Sequence, residues 1–266
     1  MSGRHAGNEN FPVASRLLPA KVRGDVMAFY AFARTADDIA DDPSLSPDDK
    51  LAGLERLRNQ LEGGEGEPGA ALHRSLHATQ VSDVHAQDLL KAFMRDAVKP
   101  TTDDWADLMA YCTLSAAPVG RYLIDLTGGL KGGTYAPSDA LCAALQILNH
   151  LQDVKDDYVE MGRIYVPADW MAAHHISPDD VAKPASTPAL RGVLNQMLDG
   201  VDALLIEAQP LPNTIRSKAL AREAGGIIAI AKRLAKALRA QDPLAERVQL
   251  SKPAAAFWFL VGALTA

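Results

Sequence analysis

Positive charge is in short supply in this chain. Its 27 Lys and Arg stand against 33 Asp and Glu, for a net charge of −6 and a pI near 5.6, which argues against a general nucleic-acid binder. Cysteine is scarcer still. Cys112 and Cys142 are the only two, and they lie in helix-like segments without metal-ligand spacing. They read as buried thiols of a protein kept in a reducing cytoplasm. No segment reaches about 18 consecutive apolar residues, so no membrane span is expected. The opening MSGRHAGNENFP lacks the apolar run of a signal peptide. Alternating apolar and polar positions rich in β-branched side chains are missing too, which removes the signal for a sheet. No repeat recurs at a fixed period.

What is present is helix. Hydrophobic residues make up 48% of the 266 positions, enough for one large core or two small ones. Val22, Val26, Phe29, Tyr30 and Ala33 recur at three- and four-residue steps. Further helices are predicted near 46–62, 85–98, 103–127, 136–161, 189–209, 214–240 and 253–265. Gly-, Pro- and Ser-rich loops fall at 63–69, 127–137 and 177–188, and none separates two compositions. The expectation is one all-α domain spanning 1–266.

The stretch FYAFARTADDIADDPS, 29–44, loads the end of a helix with Asp37, Asp38, Asp41 and Asp42. Pro43 ends the helix there. The carboxylates thus meet the negative end of the dipole, at roughly 0.3–1 kcal/mol per charge. Each like-charge pair four residues apart adds about 0.2–0.5 kcal/mol. A solvated acidic helix end followed by an Asp-Pro turn is the plain alternative. A second cluster weighs against it. In LQILNHLQDVKDDYVEMGRIYVP, 145–167, Asp153 and Asp157 again lie four apart, with Asp156 between and Asn149 one turn earlier. Two helices ending in facing carboxylate pairs suit a hard divalent cation. Mg²⁺ takes oxygen ligands and is commonly shared with substrate phosphates.

These blocks resemble the squalene/phytoene synthase family. FPVASRLLPAKVRGDVMAFYAFARTADDIADD is similar to the family's N-terminal block with its first aspartate-rich motif. NHLQDVKDDYVEMGRIYVP is similar to the second, and YCTLSAAPVGRYLIDLTG, 111–128, to its Tyr-Cys…Val-Gly block. The resemblance implies a helical isoprenoid synthase fold with a central active-site cavity. It also implies an isoprenoid diphosphate substrate and Mg²⁺, about two or three ions per site. Departures from the pattern are Gln152 where the family usually has Arg, Pro118 and Arg121 in SAAPVGR, and Glu9-Asn10 where a basic-Ser pair is common. They look like the hydroxysqualene-forming branch of bacterial hopanoid biosynthesis. That branch acts on presqualene diphosphate and captures the carbocation with water. Loss of positive charge at 9 and 152 fits a substrate with a single diphosphate. No nicotinamide cofactor is then expected, and pathway enzymes would supply presqualene diphosphate and reduce the product. A condensing synthase joining two farnesyl diphosphates, or a non-catalytic scaffold of the family, are the competing readings.

By resemblance and spacing, Asp37, Asp41, Asp153 and Asp157 are the leading metal ligands, with Asp38 and Asp156 as secondary ones. Asn149 lies on the same face. Arg34 is placed to reach diphosphate or to pair with an acid. Tyr30 is placed to donate its hydroxyl to diphosphate or to pack in the core. Arg163 and Tyr165 follow Gly162; Arg163 can grip phosphate bidentately, cap a helix or pair with Asp157. Tyr111 aligns with the family's active-site tyrosine. Arg121 would follow on its helix face, or form a surface salt bridge. His77, His85 and His150 show no partner pattern and read as structural. The terminal KPAAAFWFLVGALTA is too short to span a bilayer. It is either a last core helix or a lip for peripheral membrane contact.

Overall fold

The computed structural model describes residues 18–266. Glu9, Asn10 and the first part of the N-terminal block therefore lie outside the described residues. Helix α1 (Ala20–Asp41) is followed by α2 (Pro47–Leu61), α3 (Gly69–Thr79) and α4 (Val84–Val98). Then come α5 (Trp105–Ser115), α6 (Ala117–Leu126), α7 (Ala136–Gln152), α8 (Val154–Met161) and α9 (Ala168–Ala173). After a 3₁₀ turn (Pro178–Ala182), α10 (Pro188–Glu207), α11 (Leu211–Thr214), α12 (Lys218–Ala240) and α13 (Lys252–Leu264) complete the chain. Among the described residues the only β pairing is two isolated bridges, Thr101 with Ile164 and Leu130 with Ile215. The chain is all-α, as its patterning predicts.

Helix starts follow local chemistry. Ser46, Asp104, Thr187 and Ser217 each accept the backbone N–H three residues on, at 3.2, 2.7, 3.2 and 3.3 Å, satisfying a donor that the helix leaves unpaired. Three expectations need correction. The helix predicted at 103–127 is two, because Pro118 cannot continue the turn of α5 and starts α6 instead. The helix predicted at 136–161 breaks at Asp153, which leaves helical geometry at φ −100°, ψ 10°. Helices α3, α9 and α11 and the 3₁₀ turn were not expected as elements. They are short, and the last lies within a segment predicted as loop.

Two hydrophobic clusters share α1. Its first turns, Val22 and Val26, pack with Leu108, Ile147, Leu148, Val193, Leu198 and Leu234 in the larger cluster. Phe29, Phe32 and Ala36 pack with Leu54, Leu57, Leu72, Leu90 and Tyr122 in the smaller. Burying each of the large side chains contributes about 1.5–3 kcal/mol. Helix α7 runs through the larger cluster with Ile147 and Leu148 fully buried. Beyond α8 the chain is pinned to the α4–α5 linker: Ile164 N–H donates to Pro100 O at 2.9 Å, and Thr102 N–H to Ile164 O at 3.2 Å. That pairing brings the segment after α8 beside the end of α4.

Candidate active site

Tyr30, Arg34, Asp37 and Asp41 recur along α1 at steps of four, three and four, which places them in one stripe of the helix. The buried face of Phe29, Phe32, Ala36 and Ala40 lies beside it. Arg34 neutralises its own helix, reaching Asp37 at 2.9 Å and Asp38 at 2.7 Å. Asp42 leaves the helix and accepts the N–H and hydroxyl of Ser44 at 2.8 and 2.6 Å. It is thus a turn residue.

The second cluster does not sit at a helix C-terminus. Asp153 stands at the break, and Asp156 and Asp157 occupy the first turn of α8, where the dipole favours negative charge. The column still holds together. Asp153 N–H reaches Asn149 O at 2.9 Å, and Asp157 N–H reaches Asp153 O at 2.8 Å. Asp156 is exposed and Asp157 buried. Gly162 then closes α8 in the left-handed region, at φ +67°. Its N–H binds Tyr158 O at 2.9 Å, and Arg163 N–H binds Asp157 O at 3.1 Å, a paired C-terminal closure that glycine adopts without strain.

This reversal aims Arg163 at α1. Its Nη1 lies 2.6 Å from Asp41 Oδ1, and its Nη2 donates to Ala40 O at 3.0 Å. Arg163 is buried and caps the carbonyl end of α1 while holding Asp41. Of the partners considered for it, a helix end is correct, but the helix is α1, and the acid is Asp41 in place of Asp157. Through its backbone N–H on Asp157 O and its side chain on Asp41, Arg163 links the second acidic motif to the first.

Beneath it is a group of which sequence reasoning named Tyr111 and Tyr165, missed Asp96 and read His150 as structural. Tyr111 donates its hydroxyl to Asp96 at 2.7 Å, both buried. His150 stacks on Tyr165 at 3.6 Å between ring centroids. Tyr111 lies 5.4 Å from Tyr165 and 6.0 Å from His150, and Arg95 stands 5.0 Å over the Tyr111 ring. His150 Nδ1 lies 3.7 Å from Asp157. Burial pushes the Asp96 carboxyl up to about 6, against the lowering effects of the Tyr111 hydrogen bond, Arg163 and His150. Burial, with Asp96 adding to it, pushes the Tyr111 hydroxyl well up, so it stays protonated and donates. The signal for Asp96 was in the sequence: an acid at the spacing of Leu89 and Ala92, on the apolar face of α4. His150, read as structural, shares its helix turn with buried Ile147 and Leu151.

Arg121 is not part of this gathering. It grips Asp139 through two bonds of 2.8 and 2.6 Å and lies 5.6 Å over Tyr135. Its neighbour Tyr122 donates to Asp25 O at 2.9 Å. Asp25 precedes Asp41 by about 24 Å of α1, at 1.5 Å rise per residue. The break at Pro118 is why the face of Tyr111 does not continue to Arg121.

The donor chemistry suits Mg²⁺: carboxylate oxygens from two chain segments, most of them only partly buried. Among the described residues no three His, Cys, Asp or Glu side chains are gathered closely enough to hold a metal ion. Arginines stand beside Asp37, Asp38 and Asp41 instead.

The family model for squalene/phytoene synthase matches residues 4–254. The hydroxysqualene synthase of Rhodopseudomonas palustris is 42% identical over 251 residues, covering 94% of this chain and 86% of its own. That of Zymomonas mobilis is 40% identical over 256 residues, 95% of this chain and 86% of its own. The phytoene synthase of Rhodobacter capsulatus is 33% identical over 205 residues, 74% of this chain and 60% of its own. The crystal structure of squalene synthase HpnC from Alicyclobacillus acidocaldarius is 30% identical and superposes with a TM-score of 0.77, covering 89% of this chain and 90% of that one.

Proposed function

The chain belongs to the squalene/phytoene synthase family, and from that premise we propose that it is an enzyme converting presqualene diphosphate and water to hydroxysqualene and diphosphate. The observation that carries the finer reading is the similarity, above 35% identity over nine-tenths of the chain, to three hydroxysqualene synthases. Gln152 adds support. Where the family usually has Arg, this uncharged side chain is buried and donates to Val248 O at 2.6 Å. It offers no cation to a second diphosphate.

The chemistry divides among the residues already placed. Arg34 and Arg163 would turn from their carboxylates to the diphosphate, with Tyr30 near them on the same stripe. Mg²⁺ would be held by Asp37, Asp41, Asn149 and Asp153, with Asp38, Asp156 and Asp157 beside them. Bound there, it would neutralise charge growing on the leaving oxygens. The C–O bond to diphosphate breaks with its electron pair leaving on diphosphate. The aromatic cluster of Tyr111, Tyr165 and His150 would then lie beside the cation, shielding it until it rearranges. Water oxygen bonds to the cationic carbon and gives up one proton to solvent. The Tyr111 hydroxyl, fixed by Asp96, orients this wall.

The test is product analysis by mass spectrometry after feeding presqualene diphosphate in ¹⁸O water without reduced nicotinamide. Hydroxysqualene carrying the label is the expected product. An unlabelled alcohol would remove the water-capture step. Phytoene synthase relatives favour a second reading, head-to-head condensation of two prenyl diphosphates. Efficient coupling of farnesyl diphosphate alone would establish it instead.

A further inference from the structure

Helix α13 packs on α12 by backbone contact. A Cβ placed on Gly262 would lie 2.2 Å from Gly225 O, and one on Gly226 would lie 2.6 Å from the Phe259 ring. The two helices form a tight antiparallel hairpin. Its outer side is apolar: Phe257, Leu260 and Leu264 are 58%, 57% and 76% exposed. Spaced by three and four, they form one stripe. Beside the stripe runs a groove of about 380 Å³ between the helices, lined by Lys232, Arg233, Trp258 and Val261. Arg233 lies 3.5 Å over the Trp258 ring.

Charge identifies what covers this face. The chain carries −6 overall, yet Lys218, Arg222, Lys232, Arg233 and Lys236 follow one stripe of α12, and Lys232 and Arg233 of that stripe line the groove. Lys252 opens α13, which has no acid, and the sole acid of α12, Glu223, is buried. None of these six cations enters a salt bridge among the described residues. A second copy of the same face would oppose like charges. An anionic lipid surface satisfies both the cations and the apolar stripe. A 13-residue helix is about 20 Å long, short of the ~30 Å hydrocarbon core, so it lies along a bilayer rather than through it.

We propose that the α12–α13 hairpin docks on an anionic membrane, with Phe257, Leu260 and Leu264 among the upper acyl chains and the α12 cations on the headgroups. This stands on the hairpin alone and is independent of the reaction. The experiment floats the full chain with vesicles of phosphatidylcholine, or of phosphatidylcholine mixed with phosphatidylglycerol, at low and high salt. Binding is expected to the anionic vesicles and to weaken with salt. Phe257→Ser/Leu260→Ser should abolish it, and Lys232→Gln/Lys236→Gln should weaken it by roughly fivefold per cation. Both variants alter exposed side chains, and circular dichroism checks that they fold. Trp258 emission should shift blue on binding. Equal binding to neutral vesicles, or no binding to either, overturns the proposal. So does a Phe257→Ser/Leu260→Ser variant that floats like the parent but sediments at a lower mass, which would make the face a contact between copies.

Discussion

Asp37 and Asp153 belong to the two acidic motifs, and Arg163, which follows the second, reaches Asp41 of the first. Asp37→Ala or Asp153→Ala is expected to lower turnover roughly a hundredfold or more, with circular dichroism and melting temperature close to the parent's. For Asp37, the loss of the Arg34 pair at 2.9 Å is offset by relief of repulsion from Asp41. Full activity at saturating Mg²⁺ would remove these residues from the metal site. Asp96 permits a sharper test. Burial raises its folded pKa to about 6, above the ordinary aspartate value near 3.8. Between those values the native state binds more protons than the unfolded chain, so its contribution to stability falls as pH rises through the window. Asp96→Asn keeps an acceptor for the Tyr111 hydroxyl and removes the titration. The melting temperature of the variant relative to the parent should therefore climb from about pH 4 to pH 6; a flat difference would contradict a buried, titrating Asp96. The aspartate pairs were legible because their spacing is local. Asp96 on its apolar helix face signalled only burial; its role was not legible, because its partners Tyr111, His150 and Arg163 come from three other parts of the chain.

At the scale of elements, most helices were legible from three- and four-residue periodicity, and all-α character from the lack of alternation. Breaks were harder. Pro118 was noted as unusual without being used to end a helix, and nothing local to Asp153 announces that α7 stops there. That break matters for the site. It moves Asp156 and Asp157 from the unfavourable end of one helix to the favourable start of another. The closure at Gly162 matters as much, since with the Ile164 bridge it turns Arg163 towards α1. A Cβ at Gly162 meets no atom within 4 Å, so the cost of Gly162→Ala is conformational only, about 1 kcal/mol for a left-handed residue. The expected result is a small drop in urea midpoint together with a larger loss of activity, because the reversal that aims Arg163 at Asp41 is strained. A stability loss with unchanged kcat and KM would show that Arg163 holds its place without the turn.

For the whole molecule, the ion pairs set the order in which ligands can enter. Arg163 occupies Asp41 at 2.6 Å, and Arg34 occupies Asp37 and Asp38. Mg²⁺ arriving alone must compete with two guanidinium groups for the same oxygens. Diphosphate arriving alone can draw the arginines away only by leaving carboxylates uncompensated beside a new anion. Together the two ligands exchange partners without stranding a charge, arginines going to phosphate and carboxylates to metal. A ligand that binds only the folded state raises its stability by RT ln(1 + [L]/Kd), so coupled binding must appear as a melting shift larger than the sum of the separate shifts. Calorimetry with Mg²⁺, inorganic diphosphate and both is expected to show that excess. Arg163→Gln frees Asp41, so it should strengthen the shift from Mg²⁺ alone while shrinking the excess. If the shifts merely add in the parent protein, the two acidic motifs do not share one metal–diphosphate site. If Arg163→Gln leaves the excess unchanged, the contact between Arg163 and Asp41 holds the two helices together without governing what binds between them.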